Sequence, residues 1–521
     1  MKPHRYRRPA GSRPIALLLI GLGAITPGVG AADDRPGGLP AASTPAKTAR
    51  LADLANRYRF SERYAPEGDR TPGAIGPYRV GVVEVVRDSI DTAQGAPKRS
   101  ESSRQTIFVE RPAEVAGPGG VASASARTYE RFIARPDDPT RAMGGRPMVG
   151  LSVAVRPRVG DLPTILSLTG GRRLTEYEYD VAARQVFLPH LAGVLPAQSV
   201  RIGDVWRVPR RATQAIVGEV GLQGDTLVGA FSELRKEVEG PRMVAVLRIS
   251  GRVTGPTGDT AVNAEALFTF QPQSPAAGPA AGPSAPSRPA QDVVEAVGAI
   301  TEIRMGRVTT GPIPGPGRLR FQSSRELTVH RQLGLDPVGA AQAGAIPDPT
   351  EANSWLAYVA PSGRFAFDHP QDMVAPPDQG PAADPNVVTR GRKRREGTDM
   401  LRVEFVAKAA TPEVLKAKLD EIWGQMKMEV IKGDEAWLPE VDWPRMKAHR
   451  IEASVKVADP RKGGASGSSR IHFDGYLVQV GPSASVLAIA TTSRDAVIPF
   501  RTEVEKTLKS IQIDPPRPAK E

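Results

Sequence analysis

The sequence predicts an α+β protein in which a large antiparallel β-rich domain, a curved sheet or an open barrel, precedes a smaller layered sandwich of helices and strands. Two observations predict this class. Many apolar segments in the first two thirds of the chain alternate with polar residues at period two, with little helical periodicity between them. Towards the C-terminus, two segments instead repeat apolar residues at helical spacing, and strand patterns lie between them.

The composition limits the possible architectures and functions. A chain of 521 residues is too long for one core, and its 50 prolines and 52 glycines indicate extended linkers and turns. The chain has no cysteine, which excludes disulfides, thiolate metal sites and cysteine nucleophiles. The formal net charge of +12 is distributed along the whole chain. This pattern indicates solubility and weak attraction to anionic surfaces, and it does not indicate a nucleic-acid interface.

Residues 1–32 have the pattern of a secretory signal peptide. Basic residues continue to Arg13, an apolar run follows at 15–25, and small residues at 29–32 precede Asp33. We expect cleavage after Ala31 or Ala32 and an exported protein, either periplasmic or extracellular. The alternative is an uncleaved anchor, but the apolar run is about half the roughly 20 residues that span a bilayer. No later segment is apolar enough to span a membrane once the signal is removed.

Residues 33–50 form a Pro- and Ala-rich leader, and the β-rich domain extends over 51–333. Period-two patterns predict its strands at 57–60, 78–86, 106–109, 128–133, 226–231, 243–252, 261–270, 299–308 and 319–330. The Ala-, Gly- and Pro-rich segment 273–291 is a disordered loop between two of these strands. Consecutive strands without intervening helices predict antiparallel pairing.

A helical insert interrupts the strands between 174 and 195. Thr175 and Glu178 have the spacing of a capping box, in which each side chain accepts a hydrogen bond from the other residue's backbone N–H. Pro189 should divide the insert into two short pieces. After the insert, Gly203 and Asp204 predict a tight turn, and Trp206 is expected to be a buried anchor.

The segment that contains Leu195, Pro196 and 200–206 resembles β-rich exported proteins of unknown function. In these proteins a Leu-Pro and a Val-x-x-Gly-Asp-x-Trp motif lie between a strand set and a helical insert. The resemblance implies a sheet that cups an apolar ligand, as in envelope lipid carriers, and it assigns no residue a role.

Residues 334–353 form a linker, 354–515 form the second domain, and 516–521 form a tail. Phe365 and Phe367 alternate with polar residues in a strand that ends at Pro370. Thr411 and Pro412 begin a helix with Leu415, Leu419, Ile422 and Met426 on one face, and the last helix has a matching stripe of Phe500, Val504, Leu508 and Ile511.

The second domain resembles the family of PsbP, the extrinsic subunit of photosystem II, and its relatives in bacterial envelopes. The matching segments are 363–370, an apolar strand that ends in Asp-His-Pro, and 500–513, a helix that contains Lys-Ser-Ile. The resemblance implies a PsbP-like layered α/β/α sandwich and a non-enzymatic adaptor or assembly role. It transfers no binding residue and no cofactor. The segment 378–396 departs from the compact family pattern.

No constellation in the sequence identifies a reaction, so we assign no catalytic residue and no cofactor. Neither a nucleophile elbow nor a phosphate-binding loop is present. His449 and His472 lie on neighbouring predicted strands and, with Asp474, are the best candidates for a divalent metal site. They represent the alternative function, a hydrolase or metal-dependent enzyme whose site is assembled from sequence-distant residues.

The densest charged run consists of Arg390, Arg392, Lys393, Arg394 and Arg395. In an exported protein such a run can contact anionic lipid head groups or envelope polymers, and the simpler interpretation is a solvated loop. The favoured function is an exported, non-catalytic binding or adaptor protein of the cell envelope. It engages a protein partner or an apolar lipid ligand, makes at most a peripheral contact with the membrane, and does not bind nucleic acid.

Overall fold

The structure is a computed structural model that describes residues 47–48, 56–64, 74–92, 95–115, 122–135, 148–158, 161–219, 221–224, 227–237, 241–272, 293–313, 319–334, 345–375, 384–394, 397–425, 428–443, 446–458, 468–493 and 496–515. The predicted signal peptide, the loop 273–291 and the tail lie outside these residues, as do most of the leader and part of the linker. The predicted domain boundaries remain predictions.

The described residues are mostly in strands, numbered here in chain order. The strands are β1 (Lys47–Thr48), β2 (Arg57–Ser61), β3 (Tyr78–Thr92), β4 (Gly95–Val115), β5 (Ala122–Arg135), β6 (Ser152–Arg158), β7 (Asp161–Ser167), β8 (Leu174–Thr175), β9 (Val205–Arg207), β10 (Val228–Lys236), β11 (Met243–Gly255), β12 (Gly258–Pro272), β13 (Val293–Pro312), β14 (Arg320–Gln332), β15 (Trp355–Val359), β16 (Phe365–Pro370), β17 (Val387–Arg394), β18 (Gly397–Val406), β19 (Glu429–Val430), β20 (Ala436–Trp443), β21 (Met446–Ala458), β22 (Ser468–Gly481), β23 (Ala484–Ser493) and β24 (Gln512–Ile513).

Helices are few and short by comparison. They are α1 (Glu176–Arg184), α2 (Leu188–Leu191), α3 (Arg210–Val217), α4 (Glu351–Ser354), α5 (Pro412–Gln425) and α6 (Val497–Lys509), with a 3₁₀ turn at Ala192–Val194. In the described part of the chain, none of these helices combines the length and the apolar character that a membrane crossing requires.

The first part of the chain forms one thirteen-stranded sheet, with the order β1-β10-β11-β12-β13-β14-β3-β4-β5-β6-β7. In addition, β9 pairs with β10 in antiparallel orientation, and β2 pairs in parallel with the start of β13. Side chains alternate between its two faces, because successive strand residues point in opposite directions. In β12, for example, Val262, Ala264, Phe268 and Phe270 are buried, whereas Asn263 is exposed. The predicted antiparallel pairing is confirmed by the register of the longer strands. It is wrong for the strand predicted at 57–60, because β2 pairs in parallel with β13.

The helical insert covers the inner, apolar face of this sheet. The predicted capping box is present: Thr175 Oγ1 accepts from the Glu178 N–H at 3.2 Å, and Glu178 Oε2 accepts from the Thr175 N–H at 2.8 Å. The helix ends at Arg184, and Pro189 lies in the first turn of the separate helix α2, as predicted. Trp206 is only half-buried, and its ring lies against Gly229, where a Cβ atom would come within 2.5 Å of it.

The second part of the chain is built on a seven-stranded antiparallel sheet with the order β17-β18-β23-β22-β21-β19, in which β20 also pairs with β21. Helix α5 packs on one face through Leu415, Leu419 and Trp423. Helix α6 packs on the other face through Phe500, Val504 and Leu508, beside Phe365 and Phe367 of β16. The predicted stripe of α6 is therefore buried, with Ile511 just after the helix. In α5, Leu415 and Leu419 are buried as predicted, but Trp423 is buried in place of the partly buried Ile422, and Met426 lies outside the described residues.

A third, four-stranded sheet joins the two parts of the chain, with the order β24-β16-β15-β8. Its strand β8 belongs to the N-terminal part and pairs in parallel with β15, so that Leu174 lies opposite Leu356. At the other side, Phe365 of β16 lies opposite Ile513 of β24. One sheet thus contains strands from before and after the predicted linker.

The predicted fold class, α+β with a separate PsbP-like layered α/β/α sandwich, is wrong. The described chain is mostly β. The layer that packs on one face of the seven-stranded sheet consists of strands β15 and β16 as well as helix α6. Strand β8, from the preceding region, pairs with β15 and belongs to the same layer. The apolar stripes of the two C-terminal helices predicted a helical layer on each face. Periodicity within a segment, however, does not reveal which distant strands share a layer with it.

Candidate functional site

The two histidines proposed as metal ligands lie on neighbouring strands but on opposite faces of the seven-stranded sheet. His449 of β21 is opposite Leu477, whereas His472 of β22 is opposite Ser454. The five-residue step from 449 to 454 is odd, so the side chains point to opposite faces and are roughly 16 Å apart along the strand. The predicted histidine pair is therefore wrong, and the enzyme alternative loses its main support.

His472 belongs instead to a polar cluster with Glu452, Asp474 and Arg501, between the sheet and α6. One ligand atom from each of Glu452, His472 and Asp474 lies within 4.8 Å of the others, which is a spacing compatible with a metal ion. The guanidinium group of Arg501 contacts all three residues. Its Nη2 lies 2.8 Å from Glu452 Oε2, 2.7 Å from Asp474 Oδ1 and 3.0 Å from His472 Nε2.

Arg501 supplies the positive charge that a metal ion would bring to this cluster. Burial raises the pKa of Asp474, but its contacts with His472 and Arg501 lower the pKa more strongly, so the net shift is downward. His472 Nε2 lies 3.4 Å from Asp474 Oδ1 as well as 3.0 Å from Arg501 Nη2, so the imidazole contacts both the carboxylate and the guanidinium group. The cluster is therefore an ionic clamp that fastens α6 to β21 and β22.

Replacing Arg501 by methionine is expected to convert this clamp into a metal site. Removal of the guanidinium group leaves one imidazole and two carboxylates together, a donor set that suits Zn²⁺. Titration calorimetry should show Zn²⁺ binding to Arg501→Met at least about tenfold tighter than to the wild type. An Arg501→Met, His472→Ala double variant serves as the control and should lose the gain. If the wild type itself binds zinc stoichiometrically and His472→Ala abolishes this binding, the interpretation is contradicted.

The predicted basic run is not a solvated loop, because Arg390, Arg392 and Lys393 lie in strand β17. Arg390 and Arg392 both form internal ion pairs. Arg392 Nε lies 2.9 Å from Asp399 Oδ2, and its other nitrogens contact Glu503 and Asp372. Two of the five predicted contact residues are thus already neutralised inside the protein. Lys393 is exposed, the side chain of Arg394 and the whole of Arg395 lie outside the described residues, and a surface role for these three remains a prediction.

Arg390 is part of a second cluster that connects α1 with the C-terminal part of the chain. Its guanidinium group makes a two-point contact with Glu176, with Nε 2.6 Å from Oε1 and Nη2 2.7 Å from Oε2. His369, which is fully buried, places Nε2 2.9 Å from the same Oε1 atom. The guanidinium carbon also lies 4.7 Å from the ring centre of Tyr358. Sequence reasoning did not find this junction, because its residues come from four separate elements.

The junction should give the protein an acid-sensitive contribution to stability. Burial alone would raise the pKa of Glu176, but His369 and Arg390 lower it from 4.5 to about 2. A carboxylate with a lowered pKa stabilises the fold above its unfolded pKa, and this contribution is lost as the pH falls from about 4.5 towards 2. Because the side chain is partly exposed, we expect a contribution of only about 1–2 kcal/mol.

Urea unfolding of the wild type and of Glu176→Gln between pH 6 and pH 2.5 measures this contribution. The difference in free energy of unfolding should be largest near pH 6 and should shrink as the pH falls. A difference that stays constant over this range would show that ionisation of Glu176 does not stabilise the junction.

The inner face of the thirteen-stranded sheet does not form an open apolar cup. The helical insert occupies it and leaves cavities of ≈ 30 Å³ and ≈ 10 Å³ in the described region. Sites for small molecules typically enclose about 300–1,000 Å³. These two cavities are too small for a lipid chain. A third, more open concavity of ≈ 550 Å³ lies on strands of the same sheet, and its lining includes charged residues such as Arg248, Glu265 and Arg304.

An exposed feature is found at the edge of the seven-stranded sheet. Strand β20 pairs with β21 on one side, and no strand of the described residues pairs with its other side. The side chains of Trp437 and Val441 are 45% and 38% exposed. Residues 434–442 contain four acidic side chains and no basic one. Pro439 and a register shift between Leu438 and Val441 interrupt the ladder, so the open backbone edge is short.

Comparison with known proteins identifies no family. No family model matches the chain, and no curated protein matches it. Among solved structures, the chain is similar to a loop L8 deletion mutant of OmpT, an outer membrane protein of Vibrio cholerae, with 8% identity, coverage of 80% of this chain and 97% of that chain, and a TM-score of 0.10. It is also similar to the outer membrane protein OprD from Pseudomonas aeruginosa, with 8% identity, coverage of 81% and 94%, and a TM-score of 0.10.

A third similar structure is OccK11 of Pseudomonas aeruginosa, with 9% identity, coverage of 80% of this chain and 94% of that chain, and a TM-score of 0.10. TM-scores of 0.10 do not establish a common fold, so neither the fold nor the location of these proteins transfers to this chain. The resemblance to the PsbP family likewise remains a prediction from the sequence.

Proposed function

We propose that this protein is an exported, non-catalytic adaptor of the cell envelope that binds an extended, basic segment of a protein partner along strand β20. The observation that carries the proposal is the open edge of β20, with Trp437 and Val441 exposed beside it. Sheet edges accept an added strand from a partner, and side chains next to the edge determine which sequence is accepted.

The sequence left a protein partner and an apolar ligand as alternatives, and the protein partner is better supported. The cavities beneath the helical insert hold no more than a few water molecules. Trp437, by contrast, is an exposed aromatic side chain at an edge, and tryptophan is strongly enriched among the residues that dominate binding energy. We therefore infer binding at a surface and not in an interior cavity.

The chemistry of the edge selects the kind of partner. The four acidic residues are Asp434, Glu435, Glu440 and Asp442, whereas the chain as a whole is basic. Three of them also contact basic side chains of this chain, so the attraction to a partner is moderate. Because Pro439 shortens the open edge, contacts of Trp437 and Val441 should contribute more affinity than main-chain hydrogen bonds. Trp437 and Val441 pair with Ile451 and Ala448, which are three residues apart, so the two side chains lie on opposite faces of the sheet. A basic, extended segment with apolar residues on both of its faces fits these features.

Export rests on the N-terminal pattern of basic residues, a short apolar run and small residues. An envelope location gives the adaptor access to partners on the outer side of the membrane. Periplasmic and extracellular placement both remain compatible with the proposal.

A library of random eight-residue peptides, displayed and selected on the mature protein, tests the proposal. Selected peptides should be rich in Lys or Arg and should carry apolar residues for both faces of the added strand. Replacing Trp437 by serine should weaken their binding by at least about 2 kcal/mol, or roughly thirtyfold. Val308→Ser, which removes a comparably exposed side chain from the other large sheet, is the matched control and should have no effect. The proposal would be refuted if the selection enriched no peptide, or if Trp437→Ser and Val308→Ser bound the selected peptides equally well.

A further inference from the structure

A cleft between the helical insert and the inner face of the thirteen-stranded sheet contains an unusual concentration of arginine. It surrounds the cavity of ≈ 30 Å³, and its charged lining residues are Glu84, Arg104, Arg184, Arg307 and Arg325. We call this feature the arginine cleft. Four arginines and a single glutamate therefore line the same small cavity.

The strand register places two of these arginines directly opposite each other. Arg307 of β13 pairs with Arg325 of β14, and Arg104 of β4 pairs with Glu84 of β3. Like charges directly opposite on one face of a sheet are destabilising. Burial adds to this cost, since Arg307 is only 7% exposed. Burial also lowers the pKa of both Arg307 and Arg325 to about 10.

Each of the four arginines has a partner within the protein, but the carboxylates around the cleft, Glu84, Asp180 and Glu219, are fewer than the arginines. Glu84 contacts Arg325, and Asp180 lies 2.7 Å from Arg184 at the rim. Among the described residues, Arg307 forms no such ion pair, although the carboxylate of Glu219 is near enough to raise its pKa. Its Nη1 donates to the carbonyl groups of Ile216 and Val217 at the end of α3. A helix C-terminus carries only about half a negative charge.

The backbone is arranged to admit the Arg307 side chain. Gly218 ends α3 at φ +69°, and a Cβ atom at this position would come within 3.1 Å of Arg307 Nη1. The cleft also has access to solvent, because the Arg184 side chain at its rim is 63% exposed. An anion can therefore reach guanidinium groups that are already held in place.

We propose that the arginine cleft binds the phosphate oxyanion of a ligand. The cavity holds about two water molecules, which is room for one or two oxygen atoms of a tetrahedral oxyanion whose remaining atoms lie at the mouth. Guanidinium groups form charge-assisted, often two-point hydrogen bonds with phosphate. The phosphate can come from free inorganic phosphate or from an anionic lipid head group at the cleft mouth. This inference goes beyond the proposed adaptor function and does not depend on it.

Titration of the mature protein with inorganic phosphate, followed by ³¹P NMR and by the thermal unfolding midpoint, tests the proposal. Sodium chloride at equal ionic strength is the reference. Phosphate should raise the unfolding midpoint in a saturable manner, and an Arg104→Gln, Arg307→Gln double variant should bind it at least tenfold more weakly. Arg87→Gln is the matched control, because Arg87 lies on β3 but is 47% exposed and pairs with Glu101 and Glu326. If the double variant does not fold, Arg104→Gln alone provides the comparison.

Sedimentation with phosphatidylglycerol vesicles distinguishes the two sources, with phosphatidylcholine vesicles as the reference. If the wild type binds inorganic phosphate and the Arg104→Gln, Arg307→Gln double variant, here called the cleft variant, does not, the result supports the free anion. Binding only to phosphatidylglycerol vesicles, lost in the cleft variant and kept by Arg87→Gln, supports the lipid head group. If neither phosphate nor vesicles bind, or if Arg104→Gln binds as the wild type does, the proposal is overturned.

Discussion

Replacing Arg127 by methionine is expected to lower the free energy of unfolding by about 3–5 kcal/mol, because it leaves the Glu110 carboxylate buried without its counterion. Neither side chain of this pair is exposed, and Arg127 Nε lies 2.8 Å from Glu110 Oε1. Glu110 also accepts hydrogen bonds from Ser125 at 2.7 Å and from Tyr78 at 2.8 Å. The carboxylate therefore cannot move to solvent when Arg127 is removed.

Urea unfolding of the mature protein measures this loss. An Arg127→Met, Glu110→Leu double variant should recover most of the stability, since removal of both charges leaves neither one unpaired. The control is Arg79→Met, which removes an exposed ion pair with Glu130 and should cost less than about 1 kcal/mol. If Arg127→Met costs no more than Arg79→Met, the pair is not the buried anchor that its geometry indicates.

Truncation of Phe60 to alanine is the second substitution with a large expected effect, about 3–5 kcal/mol. Phe60 is 4% exposed, and its ring centre lies 5.2 Å from that of Phe231, 5.3 Å from Phe268 and 6.0 Å from Phe270. These aromatic contacts fix the short strand β2 to the sheet, where it has a parallel pairing of only five residues with β13.

Thermal and urea unfolding, monitored by near-ultraviolet circular dichroism, measure the effect of Phe60→Ala. Phe60→Leu keeps most of the buried volume and should cost much less. Val228→Ala, at a position that is 42% exposed on the same sheet, is the control and should be nearly neutral. A loss from Phe60→Ala as small as that from Val228→Ala would mean that β2 is not held by the aromatic cluster.

The features that the sequence predicted well are local ones. The capping box of Thr175 and Glu178, the break at Pro189 and the helical stripe around Phe500 depend on residues within a few positions of each other. Alternating burial in the long strands has the same local origin, because the strand backbone alone determines its period of two. These local features do not depend on the order of the strands in the sheet.

The features that the sequence could not predict depend on register and on distant partners. His449 and His472 lie on adjacent strands, but only the register shows that their side chains point to opposite faces. Arg390 and Arg392 have the composition of a solvated loop, and the carboxylates that neutralise them lie in other elements. Strand β20 was missed because Pro439 and its acidic residues hide the apolar alternation.

The central claim, that a protein partner binds along β20, is tested most directly by photocross-linking in the native envelope. A photoreactive phenylalanine analogue at position 437 should give an adduct with a discrete partner protein, and mass spectrometry should locate the link in an extended, basic segment. The same analogue at position 308, on the other large sheet, should give no such adduct. An absence of adducts from position 437, or the same adducts from both positions, would contradict the claim.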